Sequence, residues 1–279
     1  MVTFVKKALP IYFHLLYYCR YDKITMMFHV IRGGKVVQVR MLMALLAAAV
    51  LILSGCTGQS AKEEMYDHLE KAVTLEDAFR EQQQPMVELE KEEQELYEQI
   101  IDLNMDQFEE IKEKSQQAAA IVEERREKLE LEKESIDSAK EEFDKIEPLV
   151  EDLDEEKADA KDKAKELIDT MNKRYDAYQD LYSSYDEALT LDAELYEMMQ
   201  KEDLTEEQLQ GQIEEINQSY NKVIEMNKTF NEHTEKYNTL KKELYEALEL
   251  DVTYEESGEK ETNDEEKEGE DGTDASSEE

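Results

Sequence analysis

Between Ala61 and Leu250 apolar side chains recur at steps of three and four residues, and no stretch alternates apolar with polar. The clearest run starts at Leu209 and returns every seventh residue through Ile216, Val223, Phe230, Tyr237 and Leu244. Its companion seam is Ile213, Tyr220, Asn227, Thr234, Lys241 and Leu248. Such spacing lays one stripe along a helix, whereas a half-buried strand would need a period of two. Upstream, Leu89, Leu96 and Leu103 step by sevens, as do Val122, Leu129, Ile136 and Phe143. Between Pro148 and Thr205 another seam carries Ile168, Tyr175, Tyr182, Leu189 and Tyr196, flanked by Ala164, Met171, Tyr178 and Tyr185.

Few residues interrupt this pattern. Pro85, Pro148 and Gly211 are the helix breakers of the segment, and the rest is rich in Glu, Lys, Leu, Gln and Ala, all good helix formers. The breaks predict four helices: a short one over Ala61–Gln83, a long one from the Pro85 region to Ile146, a third from Pro148 to Gln200, and a fourth to Leu250. Thr205-Glu206-Glu207-Gln208 has the form of a capping box that would start the fourth. Proline sits comfortably in a first helical turn, which suits Pro85 and Pro148 as starts; the alternative is that Pro148 kinks one very long helix. At 1.5 Å per residue the second helix would reach about 90 Å and the fourth about 68 Å. Each buries a single stripe, so the expected fold is all-α: an elongated antiparallel up-and-down bundle with coiled-coil-like heptad packing, three long helices and a shorter N-terminal one.

Charge changes the picture at both ends. The 279 residues carry 33 Lys and Arg against 72 Asp and Glu, a net charge of −39. Residues 1–55 run the other way, with seven basic side chains and one acid, Asp22. More than the whole net charge therefore lies beyond Gly55, and a body so acidic excludes nucleic acid, whose binding needs Lys and Arg to displace counterions. Beyond Asp251 the chain is mostly Glu, Asp, Gly, Ser, Thr and Asn, with Lys260 and Lys267 its only basic residues and almost no apolar side chain, so 251–279 is expected to stay disordered. That tail could gather divalent cations; keeping the protein soluble and extended is the preferred reading.

The basic N-terminus has the order of an export leader. Met41–Leu53 is a 13-residue apolar run preceded by Lys35 and Arg40, too short for the roughly 20 residues that span a bilayer. It ends in Leu53-Ser54-Gly55-Cys56, which resembles the lipobox of bacterial prolipoproteins: Ser54 and Gly55 are small enough to admit a protease, and Cys56 offers a thiol for a diacylglyceryl group. The resemblance implies cleavage between Gly55 and Cys56 and a lipid-anchored, extracytoplasmic protein on the cell membrane. Cys19 would be discarded with the leader, leaving Cys56 without a disulfide partner. Residues 1–40 exceed any signal peptide's charged region and are read as an extension upstream of the natural start, with initiation near Val37, Val39 or Met41. The expected division is thus 1–40 extension, 41–55 signal peptide, 56–60 lipidated cysteine and spacer, 61–250 bundle, and 251–279 tail.

Catalytic chemistry finds little to stand on. Beyond the leader the histidines are His68 and His233, neither at metal-ligand spacing from another, and no Gly-rich phosphate loop or Gly-bounded nucleophile occurs. Neither a cofactor nor a metal is expected, and the chain is read as a non-enzyme. Tyr175, Tyr178, Tyr182 and Tyr185 lie at i, i+3, i+7 and i+10. Such a face could stack on wall glycan; the preferred reading is core packing with the phenol oxygens at the bundle's edge. Asn227, Thr234 and Lys241 could mark a ligand cleft, or fix helix register, the preferred reading.

Taken together, the lipobox, the spacer Thr57-Gly58-Gln59-Ser60, the Glu/Lys/Tyr-rich helices and the acidic tail resemble the YkyA-like family of Gram-positive cell-wall binding lipoproteins over Met41–Leu250. The resemblance implies a long helical bundle outside the cell. Partners would be the bilayer, through diacylglyceryl-Cys56, and peptidoglycan or an envelope protein. The alternative is a coiled-coil regulator or adaptor of a wall-remodelling enzyme.

Overall fold

In the computed structural model, residues 60–154 and 157–252 are described. The leader, the lipobox, Cys56 and most of the acidic tail lie outside them. Five helices follow in order: α1 (Ala61–Leu75), α2 (Asp77–Asp102), α3 (Phe108–Phe143), α4 (Ala158–Met199) and α5 (Glu206–Ala247). Short 3-10 turns occupy Met105–Gln107, Asp144–Ile146 and Pro148–Val150, and no strand occurs among the described residues. Helices α1 and α2 form one bent rod, so the molecule is an antiparallel up-and-down bundle of four rods. Adjacent rods pack along their length, α2 on α3, α3 on α4 and α4 on α5. The circle closes where α5 meets α1: the Lys62 ammonium donates to the Leu248 carbonyl at 3.2 Å, and the Tyr245 hydroxyl donates to Glu70 at 2.6 Å.

The breaks do not fall where the prolines suggested. The first lies at Glu76, where nothing in the local sequence weakens a helix. Ser135 of α3 inserts there: its hydroxyl donates to the Leu75 carbonyl at 2.6 Å and accepts from the Phe79 amide at 3.0 Å. Those two backbone groups would otherwise bond each other, so the serine opens the ladder and bends the rod. Pro85 sits inside α2 rather than at its start. Its flank toward the core, Met86 and Val87, is buried, and Gln82 and Gln83 return side-chain amides to the Ala78 and Phe79 carbonyls. Tertiary packing overrides the proline. The expected second helix of about 60 residues is instead divided by a chain reversal at Leu103–Gln107. Pro148 opens a 3-10 turn within the second reversal, so the chain turns there rather than kinking.

Buried positions run in alternating steps of three and four. On α5 they include Leu209, Ile213, Ile216, Tyr220, Val223, Asn227 and Phe230. On α2, however, the buried line is Met86, Glu90, Glu93, Tyr97 and Ile100. Leu89 and Leu96 stand on its half-exposed flank, and Leu103 lies just past its end. The strongest apolar spacing on α2 therefore marked the wrong stripe, because two carboxylates occupy the inner one.

Candidate functional site

Three groups of side chains could carry function: the tyrosines of α4, the polar residues inside the core, and the end of the bundle away from Ser60. The tyrosines do not form one face. Tyr178 and Tyr185 are core residues, with Tyr178 packed edge-on to Phe79 and tilted against Phe230. Tyr175 and Tyr182 reach the surface, but each is engaged by α3. Their hydroxyls donate to Asp137 at 3.0 Å and to Glu130 at 2.6 Å, while Lys140 and Lys133 lie over the two rings. A four-tyrosine stacking platform for sugar is thus ruled out by burial. The space beside them, lined in part by Tyr182, Tyr185 and Asn227, is about 30 Å³, room for roughly one or two waters rather than a cleft. Two of the polar seam residues link helices: Thr234 accepts from Arg174 at 3.0 Å, and Lys241 donates to Glu70 at 3.1 Å.

Two arginines stand inside the bundle. Arg125 of α3 is fully buried and is surrounded from the three other rods. It pairs with Glu93 and Glu90 of α2 and with Asp192 of α4 at 3.4 Å, and it donates to Tyr185 at 2.7 Å and to Tyr220 of α5 at 3.0 Å. Tyr185 in turn donates to Glu90, and Tyr220 to Asp192. One positive charge faces three carboxyls, and proton retention follows. Burial, reinforced by the Glu93 charge, pushes Asp192 up to about 8 against the pull of Arg125. Burial also raises Glu93. Arg174 of α4 is different: it grips Glu76 with two parallel bonds of 2.7 and 2.8 Å and lies against the rings of Phe230 and Tyr237. Sequence reading found neither arginine, although each occupies a seam position on its helix, Arg125 between Val122 and Leu129 and Arg174 between Met171 and Tyr178. A charge in step with an apolar stripe was the available clue.

The far end is built by the two reversals that join α2 to α3 and α4 to α5. Both use the same device. Thr205 accepts from the Gln208 amide at 3.3 Å, and Gln208 returns its side-chain oxygen to the Thr205 amide at 3.0 Å. Asn104 and Gln107 repeat this box at the other turn. The pattern Asn104-Met105-Asp106-Gln107 was therefore a legible turn signal upstream of the recognised one. Between the turns lies an open apolar pocket of about 230 Å³, lined by Ile101, Leu103, Phe108, Met199, Leu204 and Leu209 among others. Asn104 and Lys201 are its polar lining residues. Met105, 57% exposed, stands at its edge. The rim is acidic: Asp106, Glu109, Glu202, Asp203, Glu206 and Glu207 are exposed around it, and Lys201 is the only basic residue in segments 100–111 and 199–209.

With that geometry in place, comparison with known proteins gives the family. The family model described as "YkyA: Putative cell-wall binding lipoprotein" matches residues 60–247. The chain belongs to this family. A lipoprotein of Bacillus subtilis (strain 168), "Uncharacterized lipoprotein YkyA", is 38% identical over 200 residues, which cover 72% of this chain and 89% of that one. Among solved structures, a conserved protein of unknown function from Staphylococcus aureus superposes with a TM-score of 0.58 at 17% identity, over 68% of this chain and 98% of that one. That likeness concerns the fold alone. Among the described residues no helix is long and apolar enough to cross a membrane, and no three His, Cys, Asp or Glu side chains are placed to hold a metal ion.

Proposed function

We propose that this chain is a lipid-anchored spacer of the bacterial envelope: diacylated on Cys56 after cleavage behind Gly55, held on the outer face of the cell membrane, and presenting the opposite end of its bundle to the wall space. The observation that carries this reading is the polarity of the rod. Helix α1 begins five residues after Cys56, and α5 ends against it through Lys62 and Leu248. Both capped reversals lie at the other end, a helix length away. With 42 residues, α5 spans about 63 Å. A diacylglyceryl group supplies the two acyl chains that stable anchoring needs, where one gives only marginal binding.

Peptidoglycan or an envelope protein is the ligand of this reading, and the role is non-enzymatic. The carboxyls with raised affinity for protons, Glu93 and Asp192, face Arg125 inside the core rather than a substrate cleft. The adaptor of a wall-remodelling enzyme gains support from the apolar pocket at the distal end, a feature suited to protein contact. Metabolic labelling with fatty acid and membrane fractionation test the anchor: Cys56→Ser is expected to lose the label and leave the membrane fraction, and persistent labelling would refute lipidation there. Sedimentation with purified peptidoglycan, with and without EDTA, then tests the ligand. Salt-resistant co-sedimentation supports direct wall binding; retention only alongside a protein partner supports the adaptor.

A further inference from the structure

The distal pocket has a chemistry of its own. Its floor is Ile, Leu, Phe and Met, and its volume of about 230 Å³ is small for a ligand pocket, whose range starts at roughly 300 Å³. One or two large apolar side chains fill such a space. A sugar ring would find too few hydrogen-bond partners, since only Asn104 and Lys201 contribute polar groups to the lining. The exposed rim excludes other occupants by charge. Phosphate-bearing lipids and polyanions meet Glu202, Asp203, Glu206 and Glu207, and a second copy of this end would bring the same acids against themselves. What complements both features is a cationic segment with an apolar anchor. Met105 suits such a contact, because an unbranched thioether repacks around side chains of differing shape.

We infer that the end of the bundle formed by Leu103–Gln107 and Lys201–Thr205 is a docking site for a partner protein's lysine- or arginine-rich segment, which inserts a large apolar side chain between Phe108 and Leu204. The inference rests on the spacer reading for its setting, since that reading places this end far from the membrane, where a partner can reach it. Arg and aromatic side chains dominate contacts of this kind, and the acidic rim would steer a cationic segment toward the pocket.

The test uses the full chain and a short fluorescent peptide with Phe and Leu anchors between lysines, followed by anisotropy. A twin peptide with Glu in place of every Lys, phosphatidylglycerol vesicles and soluble glycan fragments are the competing probes. The lysine peptide is expected to bind and the others not. Reversing the rim with Glu202→Lys and Asp203→Lys is expected to weaken binding about tenfold or more. The same reversal away from the tip, Asp162→Lys with Glu246→Lys, is expected to change it less than about twofold. Met105→Ser, at an exposed position that does not threaten folding, is expected to weaken it several-fold. Equal losses from both charge reversals would mean general attraction to an acidic rod and would overturn the inference, as would equal binding of the Glu twin or a preference for vesicles or glycan. Fractionation of the Cys56→Ser variant reads the spacer independently: failure of the peptide with the anchor intact removes the docking site alone.

Discussion

Arg125 and Arg174 are both buried, both charged and both held by groups from other helices, yet they sit in opposite electrostatic situations. Arg174 is matched. Its three nitrogens all find acceptors, Nε on Thr234 and the other two on the paired oxygens of Glu76, and one negative charge answers one positive charge. Arg125 is outnumbered. Glu90, Glu93 and Asp192 crowd one guanidinium, and its Nε has no acceptor among the described residues. For both, burial opposes the charge and the neighbours outweigh it, with Tyr185 and Tyr220 foremost around Arg125 and Glu76 around Arg174, so both guanidiniums are shifted up. The lesson is that an arginine can be stable in a helical core in two ways: by a matched carboxylate, or by a surplus of carboxyls that keep protons. The second makes the distal half of the bundle sensitive to pH.

The largest effect should come from removing each arginine in turn. Breaking a buried pair by deleting one partner typically costs about 3–5 kcal/mol. Arg125→Met strands three carboxyls and is expected at the top of that range, Arg174→Met at the bottom, as read from urea midpoints at pH 7. Equal losses would break the distinction. Adding Glu90→Gln to Arg125→Met should recover part of the loss, because one of the stranded carboxyls is removed.

Next in size is the dependence on pH. Asp192 holds its proton up to about pH 8 when folded, whereas an unfolded aspartate releases it near 3.9. Between these values the folded state binds more protons than the unfolded, so stability falls as pH rises from about 4 to about 8 and levels off above. A single such group gives a slope approaching 1.4 kcal/mol per pH unit, and Asp192→Asn is expected to flatten it. If the wild type keeps a constant midpoint from pH 5 to 8, no proton is held there.

Near the end that holds Ser60 the sign reverses. Burial would raise Glu142, but hydrogen bonds from Lys145, His68 and Lys71 outweigh it and hold its carboxyl down at about 2. Its contribution is present above the unfolded glutamate value and is lost as pH falls toward 2. Lys71 and Lys145 are largely exposed and screened by water, so Glu142→Gln is expected to cost about 1–2 kcal/mol at pH 7 and close to nothing at pH 2. Hydrogen exchange, resolved along the chain, should show the distal half loosening as pH rises toward 8 and the proximal half as it falls toward 2. The smallest contrast compares two tyrosines. Tyr185→Phe leaves buried Glu90 and Arg125 short of a partner and should cost about 1–3 kcal/mol, while Tyr182→Phe frees Glu130 to water and should cost less than about 1 kcal/mol.

Local spacing along the chain carried much of the fold. The three-and-four spacing specified helices, and the absence of period two excluded strands, because side-chain direction along a helix or strand is fixed by backbone geometry. The Thr205 box placed the start of α5, since capping depends on side chains three residues apart. Family membership was legible for the same local reason, in helix order and composition. What needed the tertiary structure was everything set by residues far apart in the chain. The bend at Glu76 is made by Ser135, 60 residues beyond the Leu75 carbonyl that its hydroxyl takes from the ladder, and Pro85 is carried through a helix by core contacts around Met86 and Val87. The leucine line of α2 pointed away from the true seam, because Glu90 and Glu93 turn inward only to meet Arg125, a residue on another helix. Tyr178 and Tyr185 entered the core while Tyr175 and Tyr182 stayed at its edge, a choice made by the facing helices and not by spacing. The distal pocket likewise exists only where two separately capped turns come together. Local periodicity chose the elements; long-range contacts decided which of their faces the molecule hides and which it offers.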